Sequence, residues 1–318
     1  MNIKTALFSF NLKASEPIIL PSYKGATLRG GFGYTFKRVV CAIKDKKCTD
    51  CLLKERCVYS YVFETPPPSD TKIMRKYKSA PHPFVIEPPS ERRRGYKTDD
   101  EINFGLILIG KAIDYLPYFI YTFDELGRIG IGKGKAHFEL RNVSCEGKTI
   151  YDFGSKTLKP LSHSSLSVAF NDLDSETFNL RLLSLNFLTP TRILYNGHLT
   201  FDLEFHIFIR NLLRRLSLLY YFHCGGDPSK WDFKGIIEKA KEVGVEGMNL
   251  RWYDWERYST KQDARMKMGG FVGEITFEGN VEPFVSLIKA GEILHVGKGT
   301  SFGLGKYEIT KCSDMGDK

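Results

Sequence analysis

No apolar run in these 318 residues approaches the ~18 that a membrane-spanning helix requires, so the sequence offers no candidate for one. The opening, MNIKTALFSFNLKASEP, lacks a signal-peptide core, because its apolar residues alternate with polar ones and a lysine follows. Histidine is scarce: there are seven, and none between Met1 and Tyr77, so the first quarter of the chain has no imidazole to offer. Acidic residues are in deficit, 37 against 46 Lys and Arg, and the resulting net charge of +9 favours a polyanionic partner such as nucleic acid or an anionic membrane. Cysteines number seven, an odd count, with four between positions 41 and 57. Without an export signal that pattern excludes a disulfide framework and leaves a metal site or reduced thiols. These features together predict a cytoplasmic protein with no membrane association.

What is present is a pattern that occurs twice. In the first half, TALFSFNL (5–12) alternates as a strand and LRGGFGYTFKRVVCAI (28–43) has helical spacing. Segments 60–66, 82–89 and 102–110 read as strands, 114–127 as a helix, and 128–143 as a Gly/Lys loop running into a strand. The second half gives a strand at 178–188, a helix at 202–222, strands at 250–259 and 269–279, and a helix at 281–294. HVGKGTSFGLGKYEI (295–309) then supplies a second Gly/Lys loop and its strand. The fold class is α+β, with tandem ferredoxin-like βαββαβ domains. Residues 1–145 form the first domain, with a Cys-rich insertion at 41–57 and a basic Pro-rich loop at 66–101. Residues 146–177 are a linker, and 178–318 form the second domain with its Gly-rich loop at 297–305.

Glycines let backbone N–H groups approach a phosphate, and neighbouring lysines add charge, so two such loops in a basic chain point to phosphate contact. The candidates are Lys133 and Lys135 in the first loop, and Gly297, Lys298, Gly299, Gly303, Gly305 and Lys306 in the second. On the 202–222 helix, Phe205, Ile209, Leu212, Leu216 and Leu219 form a core stripe, with His206, Arg210, Arg214 and Tyr221 on an adjacent one. A histidine beside two guanidiniums is disfavoured as imidazolium and is a candidate base. Cys41, Cys48, Cys51 and Cys57 could close a tetrahedral structural zinc site, and an iron–sulfur cluster would use the same ligands. Lys72, Arg75, Lys76, Lys78, Arg92, Arg93 and Arg94 make the 66–101 loop strongly basic.

LRGGFGYTFKRVVC (28–41) followed by the cysteine cluster, LTPTRI (188–193), FHIFIRNLLRRLSLL (205–219) and the two Gly/Lys loops resemble the RAMP proteins of CRISPR systems. More narrowly they resemble the Cas6 family. The resemblance implies an endoribonuclease that processes precursor CRISPR RNA within repeats, without a catalytic metal. The ribose 2′-OH would attack, leaving a 2′,3′-cyclic phosphate and a 5′-OH. The catalytic candidates come from this chain's own residues: His206 as base, with Tyr23, Lys24, Arg29, Tyr34 and Lys37 at the first helix to supply the proton donor and the charge, Tyr23 and Lys37 foremost. Arg29, Arg192, Arg210, Arg214 and Arg215 would join the loop residues in binding RNA. The partners implied are CRISPR repeat RNA and other Cas effector subunits, with the chain a monomer or a dimer. One departure stands out: family members often place a histidine near the first helix, and this chain has none there. That departure keeps a non-catalytic RAMP subunit as the alternative.

Overall fold

The computed structural model describes residues 1–44, 46–68, 71, 79–160, 164–167, 180–259 and 264–313. Lys72, Arg75, Lys76, Lys78, His163 and much of the expected linker lie outside them. The chain divides into two compact units. One comprises Lys4–Ser165 with Phe222–Gly225, and the other Met1–Ile3, Leu166–Tyr221 and Gly226–Lys318.

In the N-terminal unit the order is β1 (Asn2–Ala14), α1 (Gly25–Val40), β2 (Phe84–Glu87), β3 (Glu101–Ile109), α2 (Leu116–Ile129) and β4 (Phe138–Cys145). The antiparallel sheet runs β2-β3-β1-β4, continued by β5 (Lys148–Asp152), which falls inside the expected linker. Register follows side-chain alternation: Phe8, Phe10 and Leu12 of β1 pair with Leu106, Phe104 and Ile102 of β3, and all six face the core. Phe32 stacks on Phe119 and Phe123 of α2 at 4.8 and 5.0 Å between ring centres. The glycines of LRGGFG serve this packing. A Cβ on Gly31 would lie 3.1 Å from Leu126, and one on Gly33 would lie 2.8 Å from the Phe63 ring.

Residues 60–66 are not the expected strand. Ser60–Glu64 form a π-helical turn that buries both Val62 and Phe63. Thr65, at φ +43°, ends the turn.

The C-terminal unit repeats the order with β6 (Leu182–Thr191), α3 (Phe205–Cys224), α4 (Phe233–Ala240), β7 (Gly244–Tyr253), β8 (Gly270–Glu278), α5 (Val285–Leu294) and β9 (Tyr307–Ser313). Its sheet runs β7-β8-β6-β9, the same arrangement of equivalent strands. The fold is tandem ferredoxin-like. The 250–259 segment is split: β7 ends at Tyr253, and Glu256–Ser259 pairs instead with Ala264–Lys267. The α3 core stripe is as expected, with Phe205, Ile209, Leu212, Leu216 and Leu219 all fully buried. Among the described residues no helix is long and apolar enough to cross a membrane.

Candidate functional site

Each unit closes with the same four-residue device, Ile131-Gly132-Lys133-Gly134 in one and Val296-Gly297-Lys298-Gly299 in the other. The Lys133 N–H donates to the Ile19 carbonyl at 3.1 Å, and the Lys298 N–H to the Arg192 carbonyl at 2.8 Å. Each acceptor follows the first strand of its own unit. Glycine is required just before each lysine. At φ +74° and +80°, a Cβ on Gly132 or Gly297 would lie 2.4 or 2.5 Å from that carbonyl oxygen. The backbone is thus pinned while the Lys133, Lys135 and Lys298 side chains stand exposed, and Lys306 is half-buried.

The second loop is less open than its sequence suggests. Gly303 and Gly305 are buried, and their N–H groups donate to Thr300 and Pro190 carbonyls. Val296 and Gly305 are joined by a 2.9 Å backbone bond, and buried Phe302 and Leu304 draw the loop down. These two glycines satisfy packing and cradle no phosphate. Gly299 is half-buried, with its carbonyl taken by Phe302. His295, fully buried, donates from Nδ1 to the Leu304 carbonyl and anchors the loop.

On α1, Arg29 lies 3.2 Å from His82 Nε2 and 4.9 Å over the Phe63 ring, so its guanidinium is held from two sides. His82 comes from the segment just before β2 and brings an imidazole to the first helix that the local sequence lacks. Lys37 is half-buried, 5.5 Å over the Tyr59 ring, and Tyr23 is half-buried two residues before α1. Lys24, one of the cations expected to supply charge at the site, is instead fully buried and donates to the Glu91 carbonyl at 2.6 Å. Burial pushes its ammonium below the usual lysine range, against the opposing pull of Glu91. Only a contact 67 residues distant reveals this role.

On α3, His206 is 7% exposed, with Nδ1 3.3 Å from Glu204 Oε2 and Nε2 3.4 Å from the Tyr195 hydroxyl. Its close charged neighbour is a carboxylate, opposite in sign to the guanidiniums expected. Arg210 and Arg214 are exposed. Arg215 is buried, and its Nε donates to the Leu294 carbonyl at 2.8 Å, capping α5 from inside the core. Burial pushes its pKa down to about 9. Arg215 is therefore a structural cap, not the RNA contact expected. Arg192 is half-buried, and its guanidinium donates to the Gly269 carbonyl. Burial lowers its pKa too, so this guanidinium is an internal donor. His223 is also structural: Nε2 donates to the Pro81 carbonyl at 2.8 Å and Nδ1 meets the Tyr61 hydroxyl at 3.0 Å.

The cysteine set does not fit a closed metal site as arranged. The Cys41 thiol donates to the Ile43 carbonyl at 3.3 Å. Burial pushes the Cys48 thiol up, Lys37 opposes this, and Glu64, Cys41 and Cys57 add to the rise. Among the described residues no group of three or more His, Cys, Asp or Glu could hold a metal.

Comparison with known proteins places these features in context. A family model described as CRISPR-associated endoribonuclease Cas6 matches residues 185–307, and one described as an N-terminal domain matches residues 3–163. An uncharacterised protein of Archaeoglobus fulgidus is 23% identical over 309 residues, covering 91% of this chain and 92% of that protein. Among solved structures, a Thermus thermophilus Cas6 superposes with TM-score 0.52 at 15% identity, covering 96% of this chain and 98% of that one. A Cas6 product complex gives 0.55 at 17%, covering 96% and 99%. A partial Cas6-RT-Cas1–Cas2 complex gives 0.58 at 14%, covering 98% of this chain and 46% of that chain. The chain thus spans about half the length of that last protein.

Proposed function

The chain belongs to the Cas6 family of CRISPR-associated endoribonucleases, and on that premise we propose that it cuts precursor CRISPR RNA within repeats by internal 2′-OH attack, without a catalytic metal. The observation that carries the proposal is the duplicated Gly–Lys device, which fixes the loop backbone and leaves the lysines exposed. In this reaction the 2′-oxygen forms a bond to phosphorus as the bond to the 5′-oxygen breaks. The 2′-OH proton passes to a base, and the leaving 5′-oxygen takes up another. The products are a 2′,3′-cyclic phosphate and a 5′-OH, and no water is consumed.

Charge on the phosphoryl oxygens would come from Arg29, which His82 and Phe63 hold ready for an anion. Arg210 and Arg214, exposed on α3, and the loop lysines would carry the RNA chain. His206, Tyr23 and Lys37 are the proton-transfer groups this reading puts to test. Half-exposure supports Tyr23 and Lys37, while burial beside Glu204 weighs against His206. Purified protein should cut repeat RNA in EDTA, and a single 2′-deoxy substitution before the scissile phosphate should abolish cutting. Cleavage that survives the substitution excludes internal attack. His206→Ala at the wild-type rate removes His206 from the mechanism and leaves the reaction intact.

The absence of a histidine on α1 favours one second reading, a non-catalytic RAMP subunit that grips CRISPR RNA among other Cas proteins. Tight binding without cutting would decide for it. Structural zinc on Cys41, Cys48, Cys51 and Cys57 is proposed from the spacing, against the arrangement of the thiols. One zinc per chain that is lost in Cys48→Ser supports it, and metal-free protein of unchanged stability ends it.

A further inference from the structure

The run Glu91-Arg92-Arg93-Arg94 lies far in sequence from either Gly–Lys device, yet the fold ties it to the first. Ile18 and Ile19 pair antiparallel with Tyr96 and Gly95, and the Leu20 N–H donates to the Arg94 carbonyl at 2.8 Å. The same short segment offers its Ile19 carbonyl to the Lys133 N–H. Arg94, Leu20, Ile19 and Lys133 are therefore linked through consecutive backbone hydrogen bonds, all within the N-terminal unit.

The run is clamped. Buried Lys24 holds the Glu91 carbonyl, and the Tyr96 hydroxyl donates to the Glu91 carboxylate at 2.5 Å. Arg93 donates from Nε to the Gly95 carbonyl at 2.6 Å and pairs with Asp100. The middle arginine thus helps fix the ribbon, while Arg92 and Arg94 on either side are exposed, as are Lys133 and Lys135. Of the acidic groups nearby, Asp99 is 2.6 Å from Lys13, Asp100 is held by Arg93, and Glu16 is 2.7 Å from His137, two residues beyond Lys135.

The other unit has the same backbone arrangement with its guanidinium turned inward. There the Gly–Lys device rests on the carbonyl of Arg192, whose guanidinium is taken by the Gly269 carbonyl. The corresponding residue in the N-terminal unit is Ile19, and Arg94 arrives on the paired strand beside it.

We infer that Arg92, Arg94, Lys133 and Lys135 form an RNA-phosphate track on the N-terminal unit, which grips the ribose–phosphate chain without reading bases. The inference rests on the RNA-processing reading and adds to it a place where the chain of unpaired RNA is held. Arginine forks suit phosphate oxygens, and the pinned backbone keeps the ordering cost low.

The test is the salt dependence of binding to single-stranded repeat RNA, 2′-deoxy at the scissile position so that it stays whole. Each phosphate contact on a single strand contributes about 0.7 to the slope of log affinity against log salt. The double variant Arg92→Gln/Arg94→Gln should therefore flatten the slope by about 1.4, as should Lys133→Gln/Lys135→Gln. The control Lys234→Gln/Lys241→Gln, with the same charge loss on and beside α4, should keep the wild-type slope. A wild-type slope in the arginine variant overturns the track while leaving RNA processing standing. An equal loss in the control overturns it as well, since the effect would then be net charge. If the wild-type protein binds no repeat RNA, the processing reading and the track fall together.

Discussion

Arg215 donates to the last carbonyl of α5 from inside the C-terminal core, while Lys298 stands exposed four residues beyond that carbonyl. Both belong to basic motifs, and no local pattern distinguishes them. Arg215→Ala should lower stability by about 2–4 kcal/mol, because it leaves a cavity and an uncapped helix end. It should leave the salt slope of RNA binding unchanged. Lys298→Ala should do the reverse, with stability within about 0.5 kcal/mol and the slope flattened by about 0.7. Thermal unfolding and a salt titration separate the two, and a flattened slope in Arg215→Ala would return that residue to the interface. The sequence ranks cations by type and position, but burial depends on what packs over them. Arg215 lies one residue from a stripe leucine on a helix buried on nearly every side.

The strands and helices of the duplicated pattern were legible because each shows its period: β1 alternates, and α3 repeats an apolar stripe. Legibility fails where a distant partner decides. Ser60–Glu64 alternates like a strand, but Phe63 must reach Gly33 and Phe32, and a π turn is what buries it beside Val62. Helix α4 escaped notice, although Asp232 caps it by accepting from the Gly235 N–H at 2.9 Å. That aspartate was a readable signal. Gly30 differs in kind from Gly31 and Gly33, each of which packs against a side chain of another element. Gly30 has open space where a Cβ would go, so Gly30→Ala should stabilise the helix by about 0.5–1 kcal/mol. Gly33→Ala, meeting the Phe63 ring, should destabilise by about 1–3 kcal/mol. Denaturant midpoints moving together for both would contradict this packing of α1.

Of the sixteen tyrosines, Tyr96 and Tyr307 are buried and Tyr59 and Tyr61 half-buried, which gives the whole molecule an alkaline limit. Burial, reinforced by Glu64, pushes Tyr59 up to about 12, and burial likewise raises Tyr61, Tyr96 and Tyr307. A raised phenol is neutral in both states below its ordinary pKa of about 10, so stability there is intact. Above that the unfolded chain ionises first, and stability falls as pH rises through about 12. Phenolate absorbance should rise in two phases, the second coinciding with loss of ellipticity, whereas one phase near 10 with the fold intact would refute it. The same molecule positions its exposed loop lysines from far away in sequence, since Lys133 hangs on Ile19 and Lys298 on Arg192. Chain length between Ala14 and Ile18 therefore sets where a lysine more than a hundred residues later stands. A single residue inserted there would misalign the grip as surely as one inserted into the glycine loop itself.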